Sequence, residues 1–191
     1  MQALDRVLAS LFDNGLLLKQ DKELPSVVGV VTGESLQTSW WSHPKGRLIF
    51  AVLSELADHP DVLFTKLLKG KDTLVHRSLW PAVLAVGRSR AGWQKGGLSR
   101  EASRLLERVG KGESVRASGA AVKELEKRLF ATTRQVHTES GRHEIAVESW
   151  TAWSRRAGCR PMASVPRAKK ALEEAAVKLG APLKALPWRS E

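Results

Sequence analysis

Val62-Leu63-Phe64-Thr65-Lys66-Leu67-Leu68-Lys69-Gly70-Lys71-Asp72-Thr73-Leu74-Val75-His76-Arg77 contains two strand-like runs around a tight turn. Residues 62–68 and 72–77 are rich in Val, Leu, Phe and Thr, and Gly70 sits where a hairpin needs a residue free of Cβ strain. The pattern predicts a β-hairpin with Lys66, Lys69 and Lys71 gathered toward its tip. Lysine at a strand edge discourages sheet-to-sheet aggregation. The same cations also suit a groove or a phosphate backbone, and the residues alone leave both readings open.

Working upstream, Leu4, Val7, Leu8, Leu11 and Phe12 recur at helical spacing over 2–14, with Asn14-Gly15 as the stop. Leu16-Leu17-Leu18 is a short apolar run. Val27 to Val31 reads as a buried strand or a short helix ended by Thr32-Gly33. Pro44 suits the start of a helix through Ala57, whose stripe is Leu48, Val52, Leu53 and Leu56. Helix, helix and hairpin in succession is compatible with a winged-helix architecture.

Downstream, Trp80-Pro81 opens a helix, and Gly87 to Gly97 reads as a linker. Helices are expected over about 100–109, after Ser118, from Ile145 to Gly158 and over about 167–179. Residues 130–138 look extended because Thr132, Thr133, Val136 and Thr138 favour strand geometry. Leu183 to Trp188 should dock back on the body. The fold expected is mainly α with short β-hairpins, winged-helix-like, in two tandem units. The first, with the basic hairpin, spans 1–87; 88–97 is the linker; 98–191 is a second helical or winged-helix-like unit. Packing of both as one domain is the alternative.

The chain has 191 residues, 42% of them hydrophobic, which suffices for a core and excludes a disordered tail. Lys+Arg is 31 against 20 for Asp+Glu, a net charge of +11, and such a balance favours polyanions. Cys159 is the only cysteine, so no intrachain disulfide can form, which fits a reducing cytoplasm. The N-terminus lacks an apolar leader, and no apolar run is long enough to span a bilayer. Nucleic acid, DNA rather than RNA, is the expected partner, with no membrane, cofactor or metal.

Ser39-Trp40-Trp41-Ser42-His43-Pro44-Lys45-Gly46-Arg47 joins two adjacent tryptophans to three cationic or titratable side chains. Neighbouring residues point to different sides of a helix or strand, so one core face can hardly bury both rings. An exposed ring beside cations suits stacking on a base next to its phosphate. Trp40, Trp41, Lys45, Arg47, Lys66, Lys69, Lys71, His76 and Arg77 are therefore the candidate nucleic-acid contacts. His76, Arg77 and Trp80 form a second aromatic and cationic grouping, for which core packing of Trp80 is the alternative.

Catalytic signatures are sparse. His137-Thr138-Glu139 has the H-x-E form of zinc deaminases, but the P-C-x-x-C partner is missing. His137 and His143 lack zincin spacing, and a polar turn in which Thr138 or Ser140 caps the next element explains them. No phosphate-binding glycine loop and no nucleophile elbow is present. Cys159 follows an arginine-rich helix end that could lower its pKa. Glu34, Asp61 and His43 remain as candidate acid–base groups near an aromatic pocket, as base-flipping chemistry requires. Loop carboxylates more commonly serve turns and caps.

Two further blocks matter: His59-Pro60-Asp61-Val62 through Leu79-Trp80-Pro81, and Leu125-Glu126 through Gly141 with Trp150. With Trp40-Trp41-Ser42-His43-Pro44 they resemble uncharacterised microbial winged-helix DNA-binding proteins similar to the YcaQ-type crosslink-repair DNA glycosylase class. The resemblance covers most of residues 25–155 and implies a DNA-binding architecture in repair or processing. That class uses a Gln-x-Gln catalytic motif, which Gln2, Gln20, Gln37, Gln94 and Gln135 do not form. No catalytic residue is carried over. Three functions follow: a DNA-binding protein, a glycosylase-like base-processing enzyme, and a small-molecule or protein-interaction domain.

Overall fold

The computed structural model describes residues 2–111, 114–137 and 143–189 (backbone only for His137 and His143). The first stretch runs α1 (Ala3–Asn14), β1 (Leu16–Leu18), α2 (Val27–Thr32), a 3-10 turn at Trp40–Ser42, α3 (Gly46–Ala57), β2 (Val62–Thr65), β3 (Thr73–His76) and α4 (Trp80–Arg88). Then come α5 (Gly92–Lys95), α6 (Arg100–Gly110), β4 (Val115–Arg116), α7 (Ala120–Lys127), β5 (Ala131–His137) and β6 (His143–Ser149). Two helices, α8 (Trp150–Ala157) and α9 (Val165–Lys178), and a 3-10 turn at Leu183–Ala185 complete it.

About half of the described residues are helical, and six strands form two three-stranded antiparallel sheets. The fold is thus mixed α/β, which corrects the mainly α expectation. Two elements account for the difference. Leu16-Leu17-Leu18 is a strand that pairs with β3, Leu17 opposite Leu74. Residues 145–149, expected to begin a helix, belong to β6, which pairs along β5 and with β4. The helix starts only at Trp150, where the Ser149 hydroxyl caps it by accepting from the Ala152 N–H at 3.2 Å.

Both sheets place their first strand against their third, in the orders β1-β3-β2 and β4-β6-β5. The hairpin of the opening stretch is β2–β3, as its composition predicts, with Leu63 opposite Val75. The Val27 segment resolves as a helix because Ser26 caps it, its hydroxyl accepting from the Gly29 N–H at 3.1 Å. Pro44 falls in the turn before α3 rather than inside it. No helix among the described residues is long and apolar enough to cross a membrane.

Buried residues gather in two clusters. One joins α1, both β1–β3 and α2–α4 to Leu129, Trp150, Trp153 and the apolar faces of α9 and the tail. The other is smaller and lies between α6, α7 and the second sheet, around Leu105, Val109, Leu125 and Val147. Residues 150–188 of the expected second unit therefore complete the first core, while about 98–149 build their own.

The expected linker at 88–97 is exposed or half-buried except at Gln94, which anchors it. Gln94 is fully buried, and its amide donates to the carbonyls of Gly87 (3.2 Å), Arg128 (3.1 Å) and Leu129 (3.3 Å). Its carbonyl accepts from Ala91 N–H and the Ser89 hydroxyl. Trp150 also donates to Leu129 O, at 2.7 Å, and its indole lies flat against Gly87 of α4. A Cβ at Gly87 would stand 2.4 Å from Trp150 Nε1, a distance no packed core accepts. Gly87→Ala must therefore displace Trp150, and thermal or urea denaturation should register a loss of about 1–3 kcal/mol.

Candidate nucleic-acid interface

The 3-10 turn at Trp40–Ser42 separates the tryptophan pair. Ser39 caps the turn, and Gly46 lets α3 begin directly beneath it: a Cβ there would lie 3.2 and 3.3 Å from the carbonyls of Trp41 and Trp40. Trp40 is 5% exposed and belongs to the core, whereas Trp41 is 68% exposed. The two rings stack with centroids 4.1 Å apart and planes 23° from parallel. The buried ring thus serves as a rigid bed for the exposed one, and Phe50 flanks Trp41 at 6.0 Å.

Trp40 and Trp41 form one wall of an open groove of about 360 Å³, shared with Lys19, Gln20, Ser39, Lys66, Lys71 and Asp72. Three lysines face one carboxylate there. Asp72 bonds Lys66 and stands 3.8 Å from Lys19. Lys19, Gln20 and Asp72 were not singled out in the sequence. They arrive because the β1–β3 pairing continues one step, Lys19 N–H donating to Asp72 O at 2.8 Å.

The other candidate cations differ in availability. Lys71 bonds Asp21 at 2.7 Å, and Lys69 stands 3.6 Å from both Asp21 and Glu23. The hairpin tip they occupy is not free: Lys69 N–H donates to Ala185 O, and Gly70 abuts the Lys127 stem. Lys45 donates to the last carbonyls of α2, Val31 at 3.3 Å and Thr32 at 2.9 Å, a favourable place for a cation. Arg77 pairs with Asp61 at 2.9 Å and lies over Trp80. His76 accepts from Ser78 N–H and packs edge-on against Phe12. Arg47 is exposed on the first turn of α3, with no ion-pair partner among the described residues.

Of the candidate acid–base groups, Glu34 stands 3.5 Å from His43 Nε2, while His43 Nδ1 accepts from Lys45 N–H. Neither Glu34 nor Asp61 lines the tryptophan groove. Cys159 is half-buried, and burial pushes its thiol above the ordinary range against the opposing charge of Arg77. That corrects the expected lowering. Trp80 is core, packed edge-on against Trp153 and donating to Val75 O. Residues 138–142, with Thr138, Glu139 and Ser140, and the side chains of His137 and His143 lie outside the described residues.

Asp21 anchors this side of the molecule. Burial opposes its ionisation, but the Lys71 ammonium and the N–H groups of Glu23 and Leu24 outweigh that, holding its carboxyl well below the usual carboxylate range. Comparison with protein-family models, curated proteins and solved structures finds no match for this chain.

Two outcomes follow. Trp40→Ala should cost about 3–5 kcal/mol in urea unfolding, the loss of a buried aromatic, and Trp41→Ala only about 1 kcal/mol, the stacking contribution. A carboxyl with a depressed folded-state pKa stabilises above its unfolded value, near pH 4, and that stability is lost as pH falls further. Asp21→Asn should therefore cost about 2–4 kcal/mol at pH 7. Its stability curve should approach that of the parent below pH 4.

Proposed function

We propose that the chain binds nucleic acid, DNA rather than RNA, through the surface formed by the Trp40–Trp41 turn, the groove beside it and α3. The observation that carries this reading is Trp41: a large ring, mostly exposed, braced flat on a buried ring and bordering a lysine-lined groove. A base stacked on such a ring gains about 1–3 kcal/mol, and the lysines sit where its phosphates would run.

The order helix, strand, helix, helix, strand, strand over residues 3–76, with sheet order β1-β3-β2, supports a winged-helix reading. The repeated strand order in the second sheet supports two tandem units of that kind. In this arrangement α3 is the helix presented to DNA. Its outward residues Arg47, Ala51 and Ser54 combine a cation that has no ion-pair partner among the described residues with small side chains that permit close approach. The resemblance to winged-helix DNA-binding proteins of repair points the same way. A base-processing activity has less support, because the groove's carboxylate, Asp72, is tied to Lys66.

A protein partner is the second reading, favoured by the contiguity of the exposed rings of Trp41 and Phe50. Fluorescence anisotropy with labelled single-stranded and duplex DNA across a KCl series separates the two. DNA binding that weakens steeply with salt and drops at least fivefold in Trp41→Ala is expected. Absent or salt-independent binding overturns the proposal.

A further inference from the structure

Residues 98–149, which build the second core, are nearly balanced overall, with 10 Lys/Arg against 8 Asp/Glu. Within them, α6 concentrates cations on one face. Arg100, Arg104 and Arg108 follow at intervals of four, and Lys111 adjoins them. At 3.6 residues per turn the four fall within an arc of about 80° and span roughly 16 Å of helix axis. All four are exposed, and the opposite face is fixed in the second core by Ala102, Leu105 and Val109.

Local stability accounts for only part of the row. Like charges four apart on a helix repel. Arg108 and Lys111 lie at the C-terminal end of α6, where the helix dipole favours cations, but Arg100 in the first turn opposes the dipole and Arg104 at mid-helix gains nothing from it. Neither those two nor Arg108 has an ion-pair or hydrogen-bond partner among the described residues, although Glu101 and Glu107 share the exposed side of the helix. This contrasts with Lys66, Lys69, Lys71 and Arg77, each of which has a carboxylate. At its C-terminal end the row opens onto a groove of about 420 Å³ lined by Arg108, Lys111, Ser114, Val115 and Arg116, the last paired with Glu144 at 3.1 Å.

We infer that this face of α6, with the groove at its end, is a second and separate binding surface whose ligand is the phosphodiester backbone of nucleic acid. Successive arginines stand about 6 Å apart along the axis, a spacing comparable with that of adjacent phosphates on one strand. Guanidinium groups bind phosphate oxygens in pairs through a planar fork. None of the described residues on this surface is aromatic, so it contacts backbone and carries no base preference. It does not depend on the tryptophan groove, and a chain with both surfaces holds one nucleic acid at two places.

The test compares the full chain with Arg104→Gln/Arg108→Gln and with Trp41→Ala. Each is titrated against labelled 20-nucleotide single strands and 20-base-pair duplexes from about 50 to 300 mM KCl. Loss of two phosphate contacts should weaken binding about tenfold or more at 100 mM KCl and lower the slope of log K against log salt by nearly two. Trp41→Ala should leave that slope unchanged. The melting temperature of the double glutamine variant should stay level, since relief of the repulsive row offsets the lost dipole contribution of Arg108; a large fall in melting temperature would mark the arginines as structural and overturn the inference. Unchanged affinity and slope would overturn it also, even if DNA binds at Trp41. Arginine-dependent binding to vesicles containing anionic lipid, without binding to either oligonucleotide, would overturn it in favour of a membrane ligand. If the arginine variant loses binding while Trp41→Ala does not, the groove reading fails and this one stands.

Discussion

The carbonyl of Leu129 holds the molecule together. Leu129 sits in the left-handed region at φ 51° without being glycine, so its conformation has to be imposed by its surroundings. Trp150 and Gln94 both donate to its oxygen, and its side chain is buried in the first core although its neighbours Leu125 and Phe130 belong to the second. Arg128, one residue earlier, donates to the carbonyls of Trp93 and Gln94. A buried carbonyl left without donors is costly. The α7–β5 corner, the short α5 segment and the start of α8 therefore hold their positions jointly.

Each of the two proposed surfaces stands on one of the cores that meet at this junction. Asp21 and Ala185 brace the β2–β3 hairpin tip, and the exposed Trp41 rests on the buried ring of Trp40. A preorganised aromatic surrenders little conformational entropy on binding. The α6 face stands on the smaller core, and its N-terminus is tied to α7 by Glu124. The Ser99 hydroxyl and N–H both donate to that carboxylate, holding its pKa below the ordinary range.

Local patterns were legible in the sequence and distant pairings were not. The β2–β3 hairpin could be read because its strands lie either side of one turn and its residues favour pleated geometry. Helices α1, α4, α6 and α9 could be read from apolar spacing and caps such as Ser99. The strand nature of Leu16–Leu18 was hidden because three leucines carry no period, and their partner Leu74 lies far along the chain. The 145–149 segment misled because Ile145, Ser149, Ala152 and Trp153 keep helical spacing across a strand-to-helix boundary. The split of the tryptophan pair followed from adjacency alone. Which lysines would already be paired did not, since Asp21 meets Lys71 only after both segments reach the same sheet edge.

The tail that packs against the hairpin tip has a consequence for synthesis. The first core contains Leu11, Leu74 and Val86 at one end of the chain and Leu172, Ala176 and Leu186 at the other. A ribosome adding about 5–20 residues per second leaves roughly 5–20 s between the emergence of Val86 and that of Leu186. Through that interval the apolar faces of α1, α4 and the first sheet have no complete cover. The nascent chain is thus most exposed to aggregation and to chaperone capture just before its final helix appears.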